Sequence, residues 1–119
     1  MEMVENWTRE QFDDKVLRSG ALAAVEFYSE GYPMCGNFGS CFEAAANRFS
    51  EKMLFGKVNV KREEALAEKY AVRSVPTMMV FCEGRGVCEI VGDADEDRIC
   101  DVIDSAVERV EGGYREKDP

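Results

Sequence analysis

Short apolar runs alternate along the chain with segments whose apolar residues recur every three or four positions. Residues 21–28 are apolar on successive positions, as expected of a central strand that helices cover on both faces. In residues 96–110 the apolar side chains instead form one stripe at helical spacing. The alternation of these two patterns predicts an α/β fold with a central mixed sheet.

The same patterns set the order of the elements. The prediction is an edge strand at 3–4, a helix at 8–20, a strand at 21–28, a second helix ending near residue 50, a strand at 53–60, a helix at 62–70, a hairpin of strands 77–82 and 86–91, and a helix at 96–110. Thr8 and Gln11 have the spacing of a capping box, and Gly20 is a natural helix stop. We therefore expect a sheet of four to five strands flanked by four helices.

Chain length is consistent with one domain. The 119 residues have a mass of 13.4 kDa, which is enough to bury a core without disulfides or metals. Residues 1–111 are predicted to form this domain, and residues 112–119, which have nothing to pack against, a flexible tail. Because the first residues are polar and no apolar run reaches about 18 residues, we expect a monomeric cytoplasmic protein without a membrane span.

Charge and residue types exclude several function classes. A net charge of −9 would repel nucleic acid and anionic lipid, so neither is an expected partner. The chain has no histidine, which excludes Ser-His and Cys-His hydrolytic mechanisms and histidine-containing metal sites. Its five cysteines lack the paired spacing of a zinc site, and most are expected to be free thiols in a reducing cytoplasm. No metal or cofactor is predicted.

Several motifs, in one order and without a gap from about residue 7 to residue 110, point to one family. The matching segments are residues 25–30 (VEFYSE), residues 57–60 (KVNV), the Val75-Pro76-Thr77 turn, Gly84 and Gly92. The first segment reads as a strand that leads through a Gly-Tyr-Pro turn to Cys35 and Cys41. Together these features resemble the thioredoxin family.

The resemblance implies a thioredoxin-like fold, a cis Pro76, and thiol–disulfide exchange with protein thiols and disulfides. The family's active-site motif is Cys-x-x-Cys, whereas residues 32–35 of this chain read Tyr-Pro-Met-Cys. Cys35 is then similar to the second, resolving cysteine. Tyr32 stands where the attacking cysteine belongs, and a phenol cannot attack a disulfide. We therefore expect a poor reductant of protein disulfides.

The start of the second helix decides whether Cys35 can pair with Cys41, and it is open to two interpretations. The family pattern begins the helix near Cys35, which makes residues 35–41 continuous helix and separates the two thiols too far to bond. Gly36 and Gly39 disfavour helix by about 1 kcal/mol each relative to alanine. Residues 40–43 also have capping-box spacing, so a helix starting at Cys41 would allow the pair.

Three residues are candidates for chemistry: Cys35, Cys41 and Glu26. Glu26 replaces the family's buried aspartate, and an acid inside an apolar strand should have a raised pKa that suits proton transfer. Its structural alternative is an ion pair with Lys57 on the next strand. For Cys35 the alternative is an inert buried thiol.

Tyr32, Pro33, Val75 and Pro76 are the candidate substrate-binding residues, because the resemblance implies a groove there for extended peptide. Two functions follow. One is thiol–disulfide exchange in cell redox homeostasis through an atypical Cys35 (Cys41) centre. The other is a redox-inactive module that binds a peptide or protein partner in the groove near Tyr32 and Pro76.

The remaining cysteines are predicted to be structural. With a two-residue turn at residues 83–84, Cys82 would oppose Arg85 and Cys88 would oppose Met79. Those pairs lie on opposite faces of the hairpin, so Cys82 and Cys88 should not bond. Cys100 is expected at the rim of the buried stripe of the last helix.

Overall fold

The computed structural model describes the backbone of residues 3–117 and the side chains of residues 3–111. In chain order the elements are β1 (Val4–Asn6), α1 (Arg9–Phe12, continued by a π-helical segment, Asp13–Arg18), β2 (Ala23–Tyr28), α2 (Pro33–Phe49), β3 (Leu54–Asn59), α3 (Glu64–Lys69), β4 (Thr77–Cys82), β5 (Arg85–Val91) and α4 (Glu96–Lys117). The predicted α/β fold, with a mixed sheet of four to five strands flanked by four helices, is confirmed, and the sheet has five strands.

One mixed sheet organises the fold, with strand order β1-β3-β2-β4-β5. The neighbours β1, β3 and β2 run parallel, whereas β2, β4 and β5 run antiparallel. Because β2 lies in the centre, its register brings Glu26 opposite Lys57 of β3 and opposite Met78 of β4. The carboxyl end of β2 leads directly to the start of α2, where the candidate site lies.

Two cores cover the two faces of the sheet. The face covered by α2 and α4 buries Ala24, Phe38, Phe42, Ala45, Ala46, Met78, Val80, Ile99 and Ile103, among others. The face covered by the first and third helices buries Trp7, Phe12, Val16, Val25, Phe27, Val58, Leu66 and Phe81. Trp7 packs directly on Gly56 of β3, where an added Cβ would lie 2.3 Å from two of the ring carbons.

Local signals at both ends of the chain can be compared with their prediction. Thr8 caps the first helix in a complete capping box with Gln11, and Gly20 ends the segment with a φ of +70°, as predicted. The last helix continues to Lys117, so its predicted end at Val110 was wrong. Flexibility of residues 112–119 stays a prediction, and residues 118 and 119 lie outside the described chain.

The register of the β4–β5 hairpin differs from the predicted one. Cys82 pairs with Arg85 as expected, but a β-bulge shifts the register so that Cys88 opposes Val80 rather than Met79. Since alternate residues share a face, Cys82 and Cys88 lie on the same face of the hairpin, and their predicted placement on opposite faces was wrong. Both are free thiols.

Candidate functional site

The second helix begins at Pro33, so the interpretation that starts it at Cys41 was wrong. Tyr32 is its N-cap residue, and Pro33 occupies the first turn, where its missing N–H costs nothing. The Cys35 amide already donates to the Tyr32 carbonyl at 2.9 Å. The Ser40 hydroxyl, the expected cap of a later start, instead donates to the Gly36 carbonyl one turn back at 3.3 Å.

A continuous helix separates the two candidate thiols. Cys35 and Cys41 are six positions apart within α2, which corresponds to about 9 Å of rise. A disulfide requires Cα atoms roughly 4.4–6.8 Å apart. The Cys35–Cys41 bond therefore cannot form in this fold, and both are free thiols. Cys41 packs against the core between α2 and α4 instead.

At the start of α2, the side chains of Tyr32 and Met34 are exposed to solvent and the Cys35 thiol is not. Tyr32 is 52% exposed and Met34 48%, whereas Cys35 is only 7% exposed. The Lys61 ammonium lies 5.9 Å from the centroid of the Tyr32 ring, within the range of a cation–π contact. A partner that approaches this end of the sheet therefore meets a phenol and a thioether before it reaches the thiol.

Glu26 lies behind the helix start, 3% exposed. Its burial raises the pKa of the carboxyl to about 7, the nearby Lys57 charge lowers it in part, and Glu43 raises it further. The predicted ion pair with Lys57 is absent among the described residues, because the Lys57 ammonium lies over the Tyr28 ring, 5.3 Å from its centroid. With a pKa of about 7, Glu26 can both accept and donate a proton near neutral pH.

Glu26 and Cys35 line the same cavity, which has a volume of about 400 Å³. We call it the rear cavity; its other lining residues are Tyr28, Ser29, Glu30, Gly31, Tyr32, Gly36, Gly39, Ser40, Glu43 and Lys57. A Cβ at Gly39 would lie 3.8 Å from both oxygens of the Glu26 carboxylate, and one at Gly36 would meet nothing within 4 Å. The two glycines, which the sequence suggested as helix breakers, thus leave α2 without side chains at these two positions beside the Glu26 carboxyl.

A second cavity of about 400 Å³ shares Ser29 and Tyr32 with the rear cavity, and we call it the front groove. It is lined by Ser29, Tyr32, Val60, Lys61, Val72, Arg73, Ser74 and Val75. The Val75-Pro76 peptide bond is cis, as predicted. Pro76 itself is buried and its carbonyl accepts a hydrogen bond from the Gly92 amide at 2.8 Å.

Of the predicted site residues, the structure brings Cys35 and Glu26 together in the rear cavity, and Tyr32 and Val75 together in the front groove. Cys41 lines neither cavity, and Pro33 serves as the first residue of the helix. The roles of all these residues stay predictions.

Sequence reasoning missed Ser29, Lys61 and Arg73, which line the front groove. Ser29 is 2% exposed, and its hydroxyl has no hydrogen-bond partner within the described part of the chain. The two cations are exposed. Their position next to the motifs at residues 57–60 and 75–77 was the only available signal, because neither forms a motif of its own.

Cys82 and Cys100 line neither of the two cavities. Burial raises the pKa of the Cys82 and Cys100 thiols, which lowers the thiolate fraction available at neutral pH. Among the side chains of residues 3–111, no group of three or more cysteine and acidic residues is arranged to hold a metal ion. Over residues 3–117, no helix is long and apolar enough to cross a membrane.

Comparisons with known proteins agree with this architecture. The family model described as Thioredoxin matches residues 3–105. The chain is 28% identical over 100 residues to thioredoxin 2 of Chlorobaculum tepidum, covering 84% of this chain and 92% of that protein. It is 30% identical over 81 residues to thioredoxin of Griffithsia pacifica, covering 68% and 74%. The solved structure of Malassezia sympodialis thioredoxin (Mala s 13) is similar in fold, with a TM-score of 0.78 at 22% identity, covering 88% of this chain and 91% of the other.

Proposed function

This chain belongs to the thioredoxin family, and we propose that it acts on protein thiols and disulfides through one thiol, Cys35. The family match supports a thioredoxin-like redox role in general. The observation that carries the finer proposal is the rear cavity, in which Cys35 and an acid with a pKa of about 7 line the same space. A cytoplasmic location and a monomeric state stay predictions.

The proposed step balances with one cysteine. The Cys35 thiol gives its proton to the Glu26 carboxylate, and its sulfur attacks one sulfur of a partner's disulfide. The bond from Cys35 to that sulfur forms, the partner's S–S bond breaks, and the leaving thiolate takes a proton. Because Tyr32 occupies the other cysteine position of the Cys-x-x-Cys motif, release of the adduct needs an external thiol, such as the partner's own or a small thiol in solution.

Burial of Cys35 sets the expected rate. At 7% exposure the Cys35 thiol is almost fully buried, so approach of a bulky disulfide is slow. The chain should therefore reduce protein disulfides poorly yet retain an adduct once formed, because the site holds no second cysteine to resolve it.

The test is to incubate the protein with a small aryl disulfide and locate the adduct by mass spectrometry of peptides prepared without reductant. We expect the adduct on Cys35, its loss in Cys35→Ser, and its retention in the matched control Cys41→Ser. Equal labelling of wild type and Cys35→Ser would overturn the single-thiol proposal.

A second function is favoured by the front groove, which contains no cysteine and is independent of thiol chemistry. In that function the chain binds a segment of a protein partner beside Tyr32 and Val75 without exchanging disulfides. A partner peptide that binds Cys35→Ser as tightly as wild type, while wild type forms no adduct, would favour this binding module.

A further inference from the structure

We propose that the front groove selects partner segments that carry an acidic side chain, whose carboxylate is bound by Lys61 and Arg73. The inference rests on the proposed function for the use of this groove, and it adds the class of partner. The occupant is an extended segment of a partner protein, with the acidic residue close to its reacting cysteine.

The charge of the groove is opposite to that of the whole chain. The sequence has 24 acidic and 15 basic residues and a net charge of −9. Of the described residues that line the front groove, two are cationic and none is acidic. A cleft lined by one sign of charge concentrates its field, so an anionic group is attracted here although most of the surface repels it.

Neither cation of the groove is held in a described ion pair, although the Lys61 ammonium contacts the Tyr32 ring. The described ion pairs join Lys15 with Glu5, Arg18 with Asp14, and Arg48 with Glu96. Lys61 and Arg73 take part in none of these ion pairs, and both side chains are exposed. The guanidinium of Arg73 offers the planar fork that binds a carboxylate through two hydrogen bonds, and Lys61 adds a point charge.

Ser29 supplies an unused polar group at the same place. Ser29 lines the front groove and also the rear cavity, and its buried hydroxyl lacks a hydrogen-bond partner within the described chain. Leaving a buried hydroxyl unpaired costs free energy, so a ligand group that forms a hydrogen bond with it recovers part of this cost. The groove therefore offers two charges and one hydroxyl to a polar ligand.

The rear cavity gives the segment a direction. It is lined by three glutamates, Glu26, Glu30 and Glu43, and one cation, Lys57. An acidic side chain is therefore disfavoured in the rear cavity and favoured in the front groove, and Tyr32 lines both. A segment lying across Tyr32 binds in the orientation that places its acidic residue towards Lys61 and Arg73.

The experiment uses three decapeptides that each contain one cysteine and differ only at two positions beside it. The two positions are glutamate in the first peptide, glutamine in the second and lysine in the third. Each peptide is activated as an aryl disulfide for the rate of Cys35 adduct formation, and is also labelled for equilibrium binding by fluorescence anisotropy. At low ionic strength we expect the glutamate peptide to exceed the lysine peptide about tenfold or more in both measurements. The difference should shrink in about 0.5 M salt, because salt screens exposed charges.

The decisive variant is Lys61→Glu/Arg73→Glu, which should reverse the order of the peptides. Lys52→Glu/Arg98→Glu makes the same change in net charge at exposed positions outside the groove and should leave the order unchanged. The milder variant Lys61→Gln/Arg73→Gln should abolish the preference for the glutamate peptide without reversing it. It keeps the test decisive if the charge-reversed protein fails to fold.

The two proposals fail in different ways. Equal rates and affinities for all three peptides would overturn the acidic preference while adduct formation at Cys35 still supported the single-thiol function. If no peptide forms an adduct but the glutamate peptide binds best, the acidic preference stands and the single-thiol function falls. If the order also reverses in the Lys52→Glu/Arg98→Glu control, the reversal follows the added negative charge and not the groove residues, which overturns the groove proposal.

Discussion

Replacing Glu26 by glutamine tests the electrostatics of the rear cavity through stability. Burial raises the pKa of this carboxyl from 4.5 to about 7 in the folded chain, while in the unfolded chain it returns to its ordinary value. The folded state therefore holds the proton more tightly than the unfolded state. Below about pH 4.5 both states are protonated and the group costs nothing. As the pH rises towards 7 the unfolded state releases its proton first, so stability falls, and above about pH 7 the loss is complete.

The size of that loss follows from the two pKa values. A difference between 4.5 and about 7 corresponds to roughly 3 kcal/mol, at about 1.4 kcal/mol for each tenfold change in the ionisation constant. This is a large part of the 5–15 kcal/mol typical of a domain. Glu26→Gln removes the titration, so its stability relative to wild type should rise by roughly 3 kcal/mol between about pH 4 and about pH 8.

Urea unfolding of both proteins at several pH values measures the difference, with the slope of each curve checked for two-state behaviour. Two further variants set the direction of the charge effects. Lys57→Gln removes the charge that lowers the Glu26 pKa and should steepen the loss, whereas Glu43→Gln removes a charge that raises it and should reduce the loss. If wild type and Glu26→Gln differ by the same amount at about pH 5 and about pH 8, the assigned pKa is wrong.

Three further predictions concern the helix start and the core. Tyr32→Cys creates the Cys-x-x-Cys spacing with Cys35 and should raise dithiothreitol-driven reduction of insulin about tenfold or more. If the wild-type protein were already as active as an ordinary two-cysteine thioredoxin, our view of Tyr32 would be wrong. Gly56→Ala drives a Cβ into the Trp7 ring and should lower the free energy of unfolding by about 1–3 kcal/mol, visible as a lower urea midpoint. Gly36→Ala adds a Cβ in open space on a helix and should raise stability by about 0.5–1 kcal/mol; a loss as large as that of Gly56→Ala would show that the rear cavity is filled.

Local sequence was enough to determine the order of the elements. The apolar periodicity identified each strand and helix because burial on one face or both must match a period of two or 3.6 residues. The capping box at Thr8 and the turn at Gly20 were predictable for a similar reason, since each depends on residues a few positions apart. The resemblance added the cis Pro76 and the position of Tyr32 relative to Cys35.

Tertiary structure decided the geometry of the candidate site. Local helix preference disfavoured residues 36–39, yet α2 runs through them, because Phe38 and Phe42 of the same helix are fully buried against the sheet and outweigh two glycines. That one outcome separates Cys35 from Cys41. The bulge that turns Cys88 to the face of Cys82 likewise depends on pairing between strands, which no local pattern reports.

The chemistry of the site depends on the same distinction. That Glu26 is an acid in an apolar strand can be read from the sequence, but its pKa of about 7 arises from burial beneath α2 and from the charges of Lys57 and Glu43. The front groove joins Ser29, Lys61 and Arg73 from three separate parts of the chain. The sequence by itself determined which residues are apolar, charged or nucleophilic; the packing of distant segments decided which of them share a cavity, because desolvation and Coulomb interaction depend on distance in space and not on separation along the chain.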